Sequence, residues 1–200
     1  FAGGTDGNEQ LTAIAGVLLL VLFAVLGVTI IRIGQLLWLH LFLGLLLIGP
    51  VVLKLASTGY RFVRYYSASP AYRRKGPPHL ALRALAPLVV ASSLAVFATG
   101  VLLLVDGPGS RDRFLIWHKV TFFIWLAAMA PHVLGHLAEL ARSLGRRGGA
   151  DSTLEGAAVG RAGRAIALAS ALVAGVVLAI VLLPDFAAWT SSGVHLHHHG

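Results

Sequence analysis

Five histidines, His40, His79, His118, His132 and His136, lie within or at the edge of long apolar runs, and they are the residues whose chemistry needs explaining. A neutral imidazole is the commonest metal ligand. Two imidazoles at one depth on facing helices can ligate a single haem iron from both sides. His132 follows His118 by fourteen residues. On a helix that is roughly 21 Å of rise and about 40° short of four turns, so the two point to nearly one face at two depths. Such a pair suits two stacked haems, one near each membrane surface. His136 is one turn beyond His132, and Glu139 one turn further. Lys54 follows His40 by the same fourteen residues that separate His132 from His118.

There is no cysteine, which excludes disulfides, thiolate-held iron–sulfur clusters and cysteine-attached haem. No nucleotide fingerprint, paired intramembrane carboxylates or hydrolytic constellation is present. The rival uses of these histidines are interhelical hydrogen bonding in a non-catalytic assembly subunit and a polar path for a metal ion or proton in a transporter. For the transporter the acidic ligand at hand is Glu139, at the membrane edge.

The elements that must position these groups follow from composition. Of the residues 57% are hydrophobic and 12% charged, where a soluble domain carries about 25% charged residues; mean hydropathy is +0.82. Lipid must be the solvent for much of such a chain. Uncharged or nearly uncharged runs span Leu11–Ile31, Leu36–Thr58, Leu80–Val105, Phe114–Leu140 and Ala165–Leu183. Each suits a membrane-crossing helix, and none alternates as barrel strands do. The first reads as a span, not as a cleavable signal. Gly34 and Gln35 mark a short break, and Asp106 to Ser110 a tight turn. Tyr60–His79 reads as a polar loop, and Pro184 closes the last span.

The predicted fold is an all-α integral membrane bundle of about five transmembrane helices. Its parts are an N-terminal segment (1–10), a four-helix haem-binding core (11–143), a connector (144–161), an additional helix (162–184) and a tail (185–200) with four histidines among its last six residues. Seven cations lie between Lys54 and Arg83 and five between Arg142 and Arg164, against four on the opposite side (Arg32, Arg111, Arg113 and Lys119). The bias places the 2–3 and 4–5 loops in the cytoplasm, with the N-terminus inside and the C-terminus outside. The net charge of +8 thus reads as topology, and nucleic acid is not an expected partner.

His40 and His118 then fall at similar depth in the outer half, as ligands of an outer haem. His132 is the candidate for an inner one, with His79, or failing that His136 or Lys54, as its partner. Gly44, one turn from His40, and Gly135 leave room for a flat macrocycle. Trp38, Phe42, Trp117, Phe122 and Phe123 are candidates to line it, and Arg32, Arg111, Arg113 and Lys119 to pair with propionates. Tyr60, Arg61, Tyr65 and Tyr66 offer polar and aromatic groups for a quinone near the inner end.

The stretch from Trp117-His118 through Pro131-His132-Val133-Leu134-Gly135-His136 resembles the fourth helix of respiratory cytochrome b subunits. These form the cytochrome b561-like group that includes the membrane subunits of formate dehydrogenases and nickel–iron hydrogenases. His118 and His132 match its two ligands fourteen residues apart, and His40 matches its ligand at the outer end of the second helix. The resemblance covers roughly residues 11–140. It implies haem b, transfer of electrons between a redox partner subunit and menaquinone or ubiquinone, and an electron-transfer subunit in the cell membrane, not a stand-alone enzyme. Two features depart from the group: no histidine lies between Leu11 and Ile31, and a fifth helix is added.

Overall fold

In a membrane every backbone amide must be satisfied within the protein, and the apolar runs accordingly all become helices. A computed structural model of the protein describes residues 4–67, 70, 80–146 and 160–191. It contains α1 (Gly4–Ile31), α2 (Ile33–Tyr66), α3 (Leu80–Asp106), a single 3-10 turn (Pro108–Ser110), α4 (Arg111–Arg146), α5 (Arg161–Val181) and α6 (Leu183–Ser191). No strand occurs among the described residues. Helices α1 to α5 are each long and apolar enough to cross a membrane. Large apolar side chains such as Val17, Ile31, Ile116, Leu134 and Ile166 point outward from them, as lipid contact requires. His79, the connector residues 147–159 and the terminal histidines lie outside the described residues.

The chain reverses between α1 and α2 within a few residues. Arg32 leaves the helical conformation, its carbonyl accepts from the amides of Gln35 and Leu36, and Leu36 is itself non-helical. This is the break expected at Gly34–Gln35. The Asp106–Ser110 turn also forms as expected, with Gly107 at φ 76°, a conformation glycine adopts without steric cost.

Helices α1 and α2 pack antiparallel, as shown by contacts that pair Thr29 with His40 and Asn8 with Ser57. Helices α3 and α4 do the same, through Trp125 to Ser93 and Gly135 against Leu82. The two pairs meet where Phe23 of α1 tilts against Trp125 of α4, ring centroids 4.9 Å apart. Helix α5 lies on α2, where glycine lets backbones touch. A Cβ on Gly49 would collide with the Ala171 carbonyl, and one on Gly175 with the Leu46 carbonyl. Close backbone approach through small residues is how helices gain packing energy when lipid tails are as apolar as leucine.

Four boundaries differ from the sequence expectation. Helix α2 runs on through Tyr66, so Tyr60–Tyr66 is helix where a loop was expected. Its amphipathic end is held by Arg61 to Glu9 at 3.7 Å and by Phe62 and Tyr65 against Tyr66. Helix α1 begins at Gly4, within the expected N-terminal segment. Helix α4 reaches Arg146, inside the expected connector. The presumed tail begins with α6, whose Phe186 and Trp189 are buried in a cluster with Leu45, Leu104 and Ala179. Trp189 Nε1 donates to the Leu104 carbonyl at 3.2 Å. The signal for α6 is present in the sequence: Pro184 in the first turn, Asp185 beside it, then two aromatics three residues apart.

Candidate functional site

The four helices α1 to α4 bring His40 and His118 to the same end of the bundle, the end that carries the α1–α2 and α3–α4 turns. Each ring is partly buried, and the two lie within electrostatic range of one another. Neither imidazole is oriented by its own helix alone. His40 Nδ1 lies 2.9 Å from Thr29 Oγ1 of α1, and His118 Nδ1 lies 3.3 Å from Thr99 Oγ1 of α3.

The direction of these bonds follows from proton counting. The Thr29 hydroxyl donates to the Leu26 carbonyl at 2.6 Å, so only its lone pairs remain for the ring. With the hydroxyl proton on that carbonyl, the matching tautomer has His40 donating through Nδ1–H and the lone pair on Nε2. The Thr99 hydroxyl donates to the Ala95 carbonyl at 2.8 Å and stands 3.0 Å from Thr121 Oγ1. In the same tautomer, with Nδ1–H donating to Thr99, His118 likewise keeps its lone pair on Nε2. Two imidazoles on different helices thus each hold one nitrogen by a hydrogen bond and keep the other as a base. That is the usual preparation of a metal-ligating histidine.

Neither threonine was identified from the sequence. Thr29 is almost wholly buried, but nothing in an apolar run distinguishes a hydroxyl that bonds to its own helix from one that also meets a ring across the interface. The prediction for both is direct. Thr29→Val and Thr99→Val, close to isosteric, should each weaken retention of a group bound between the histidines by about 10-fold or more. Serial dilution or washing of the purified protein reads this, and unchanged retention in both variants would contradict the positioning role.

The glycines singled out in the sequence are not the ones that touch the rings. A Cβ on Gly100 of α3 would lie 3.0 Å from His118 Cε1, so this glycine gives the imidazole its place against α3. Gly135 instead accommodates Leu82 and brings α3 to α4, while a Cβ on Gly44 would meet nothing within 4 Å. The aromatics divide likewise. Trp117 and Phe123 are 59% and 64% exposed and face outward, whereas Trp125 is 8% exposed. Trp38 stacks on Phe42 and meets Phe186 of α6 edge-on. Phe122 lies beside Trp125. Trp125 falls seven residues after His118 and seven before His132, on the shared face, and this spacing was the signal for it. With Phe23, Leu19, Leu47, Val51 and Phe97 it fills the middle of the bundle.

Beyond this plug lies a second polar level. His132 and His136 have their rings 4.6 Å apart at 74° on α4, and Lys54 lies within electrostatic range of His132. Being neighbours on one helix, the two rings would approach a planar group from one side. His132 Nδ1 is buried without a hydrogen-bond partner. Lys54 Nζ donates to the Thr12 carbonyl at 2.5 Å, inside a network in which Asn8 and Thr12 also bond to Ser57. Among the described residues no three histidines, cysteines or carboxylates converge as a metal-ion site.

Fold and site together define an all-α helical bundle with five membrane-length helices and histidines at two levels of its interior. No family model, curated protein or solved structure matches the chain.

Proposed function

We propose that the protein is a b-type membrane cytochrome in which His40 and His118 hold a haem as its two axial ligands. The observation that carries the reading is the matched pair of rings on α2 and α4, each with Nδ1 tied to a threonine of a neighbouring helix. The donor set fits the group. Two neutral imidazoles with their Nε2 lone pairs unengaged by those bonds suit a low-spin iron, and Gly100 provides the recess for one ring. A haem held by these two residues would supply one-electron transfer. The chain's own part is to fix both rings, exclude water with the apolar helices, and meet propionates with Arg32, Arg111, Arg113 or Lys119 at the turn end.

The arrangement of cations supports an orientation with this histidine level on the outer side and the Arg61–Tyr66 end in the cytoplasm. In that orientation the protein serves as an electron-transfer subunit between a redox partner and the quinone pool. At the cytoplasmic end Arg83 of α3 lies over the Tyr66 ring at 5.4 Å, and with Tyr60, Arg61 and Tyr65 it offers donors and rings to a quinone headgroup.

The deciding experiment is a dithionite-reduced minus oxidised spectrum, with a haem assay, on protein purified from haem-replete cells. Sharp low-spin b-type bands are the expected result. Haem-free protein would sink the reading in favour of a transporter or an assembly subunit.

A further inference from the structure

Lys54 is hard to explain as a structural residue. It sits inside the apolar run of α2, four residues before that run ends at Thr58, and an ionisable residue within a span is a functional candidate by default. The ion pair between Arg61 and Glu9 does not involve Lys54. The chain nevertheless builds a place for this amine. A Cβ on Gly16 would fall 2.9 Å from Nζ, so α1 carries glycine where the amine passes. The Thr12 carbonyl accepts one N–H at 2.5 Å. Ser57 bonds back to the Lys54 carbonyl at 3.0 Å and fixes the turn that bears it.

The placement repeats that of the first level. Lys54 stands fourteen residues after His40 on α2, and His132 fourteen after His118 on α4. Where the first level sets two imidazoles on α2 and α4, the second sets an amine and an imidazole on the same two helices. The His132 ring has its Nδ1 buried with no hydrogen-bond partner. Helix α1 has no histidine to offer at this level; it offers Gly16 and the Thr12 carbonyl to the lysine instead.

Building on the cytochrome reading above, we propose that the second level is also a haem site, with His132 and the Lys54 amine as its opposed axial ligands. Lysine ligates as the neutral amine. It releases one proton to solvent, places its lone pair on the iron, and keeps two N–H bonds, one of which remains on the Thr12 carbonyl. Ligation thereby removes the cost of holding an unpaired ammonium in the membrane. The aromatic plug of Phe23 and Trp125 separates the two levels, whose ligands stand roughly 21 Å apart along the helices. The site gives the chain two one-electron centres in place of one.

Haem stoichiometry and the near-infrared magnetic circular dichroism of the oxidised protein test this, because amine–imidazole and bis-imidazole haems differ in their charge-transfer band. The wild-type chain should hold two haems with one band of each kind. Lys54→Leu, and Lys54→Arg, which keeps the charge but cannot ligate, should each hold one haem and lose only the amine–imidazole band. The retained outer haem reports that the variant is folded. His132→Leu should behave in the same way. Two haems persisting in both Lys54 variants would overturn the assignment, as would loss of the second haem from His79→Leu with Lys54 intact. One haem per wild-type chain, abolished by His40→Ala, would overturn the second site and leave the cytochrome reading standing. A wild-type chain with no haem would remove both.

Discussion

Replacing His40 or His118 with alanine should abolish the low-spin spectrum of the outer haem, the largest single change expected from any substitution in this chain. In the proposed cytochrome each ring would supply one of two axial positions, and among the described residues no other imidazole stands at that level: His132 lies on the far side of the Phe23–Trp125 plug. The loss should also appear as instability. A bound group stabilises the fold that binds it by about 4 kcal/mol at a thousandfold excess over its dissociation constant. The variants should therefore melt well below wild type in detergent, in proportion to haem lost. Trp117→Ala and Phe123→Ala, on outward-facing positions of the same helix, are the controls and should keep haem and spectrum. If His40→Ala and His118→Ala both retained the full spectrum, the ligand assignment would be wrong.

The second large effect belongs to the α2–α5 seam. Gly49→Val and Gly175→Val each drive a branched side chain into a backbone carbonyl, that of Ala171 in one case and Leu46 in the other. Backbone cannot swing aside as a side-chain tip can, so the helices must separate along their length. Overpacking typically costs about 1–3 kcal/mol, and here it should exceed that range because the lost contact is the main attachment of α5. Helix α5 lies outside the α1 to α4 group, whose α2 and α4 carry the described histidines. The variants should therefore lose thermal stability, and gain protease sensitivity between α4 and α5, while retaining most of their haem. Wild-type melting in both variants would show that the seam is not tight, and parallel loss of haem would show that α5 supports the site directly.

The sequence alone determined that this chain is a helical bundle with five membrane-length elements. Lipid leaves the backbone no alternative to helices or a closed barrel, and the apolar runs lack a strand period. It also determined which histidines share a helix face, because spacings of fourteen and eighteen residues convert directly into angle and rise. It could not show which residues hold the rings. The threonines, Gly100 and Gly16 act across helix interfaces, and which side of an all-apolar helix faces which neighbour is decided by packing, since lipid and protein interior select the same residues. The same uncertainty explains why Trp117 and Phe123 were candidates for the lining although they face outward, while Trp125 is the aromatic of that helix buried in the bundle. Helix α6 went unrecognised because nine residues with two aromatics acquire a reason to fold only once Leu45, Leu104 and Ala179 are assembled beneath them. At His40 and His118, the residues with which the chemistry began, sequence supplied the imidazoles and their depth. Only the tertiary structure supplied the hydroxyls of Thr29 and Thr99, each of which meets the Nδ1 atom of one ring across a helix interface.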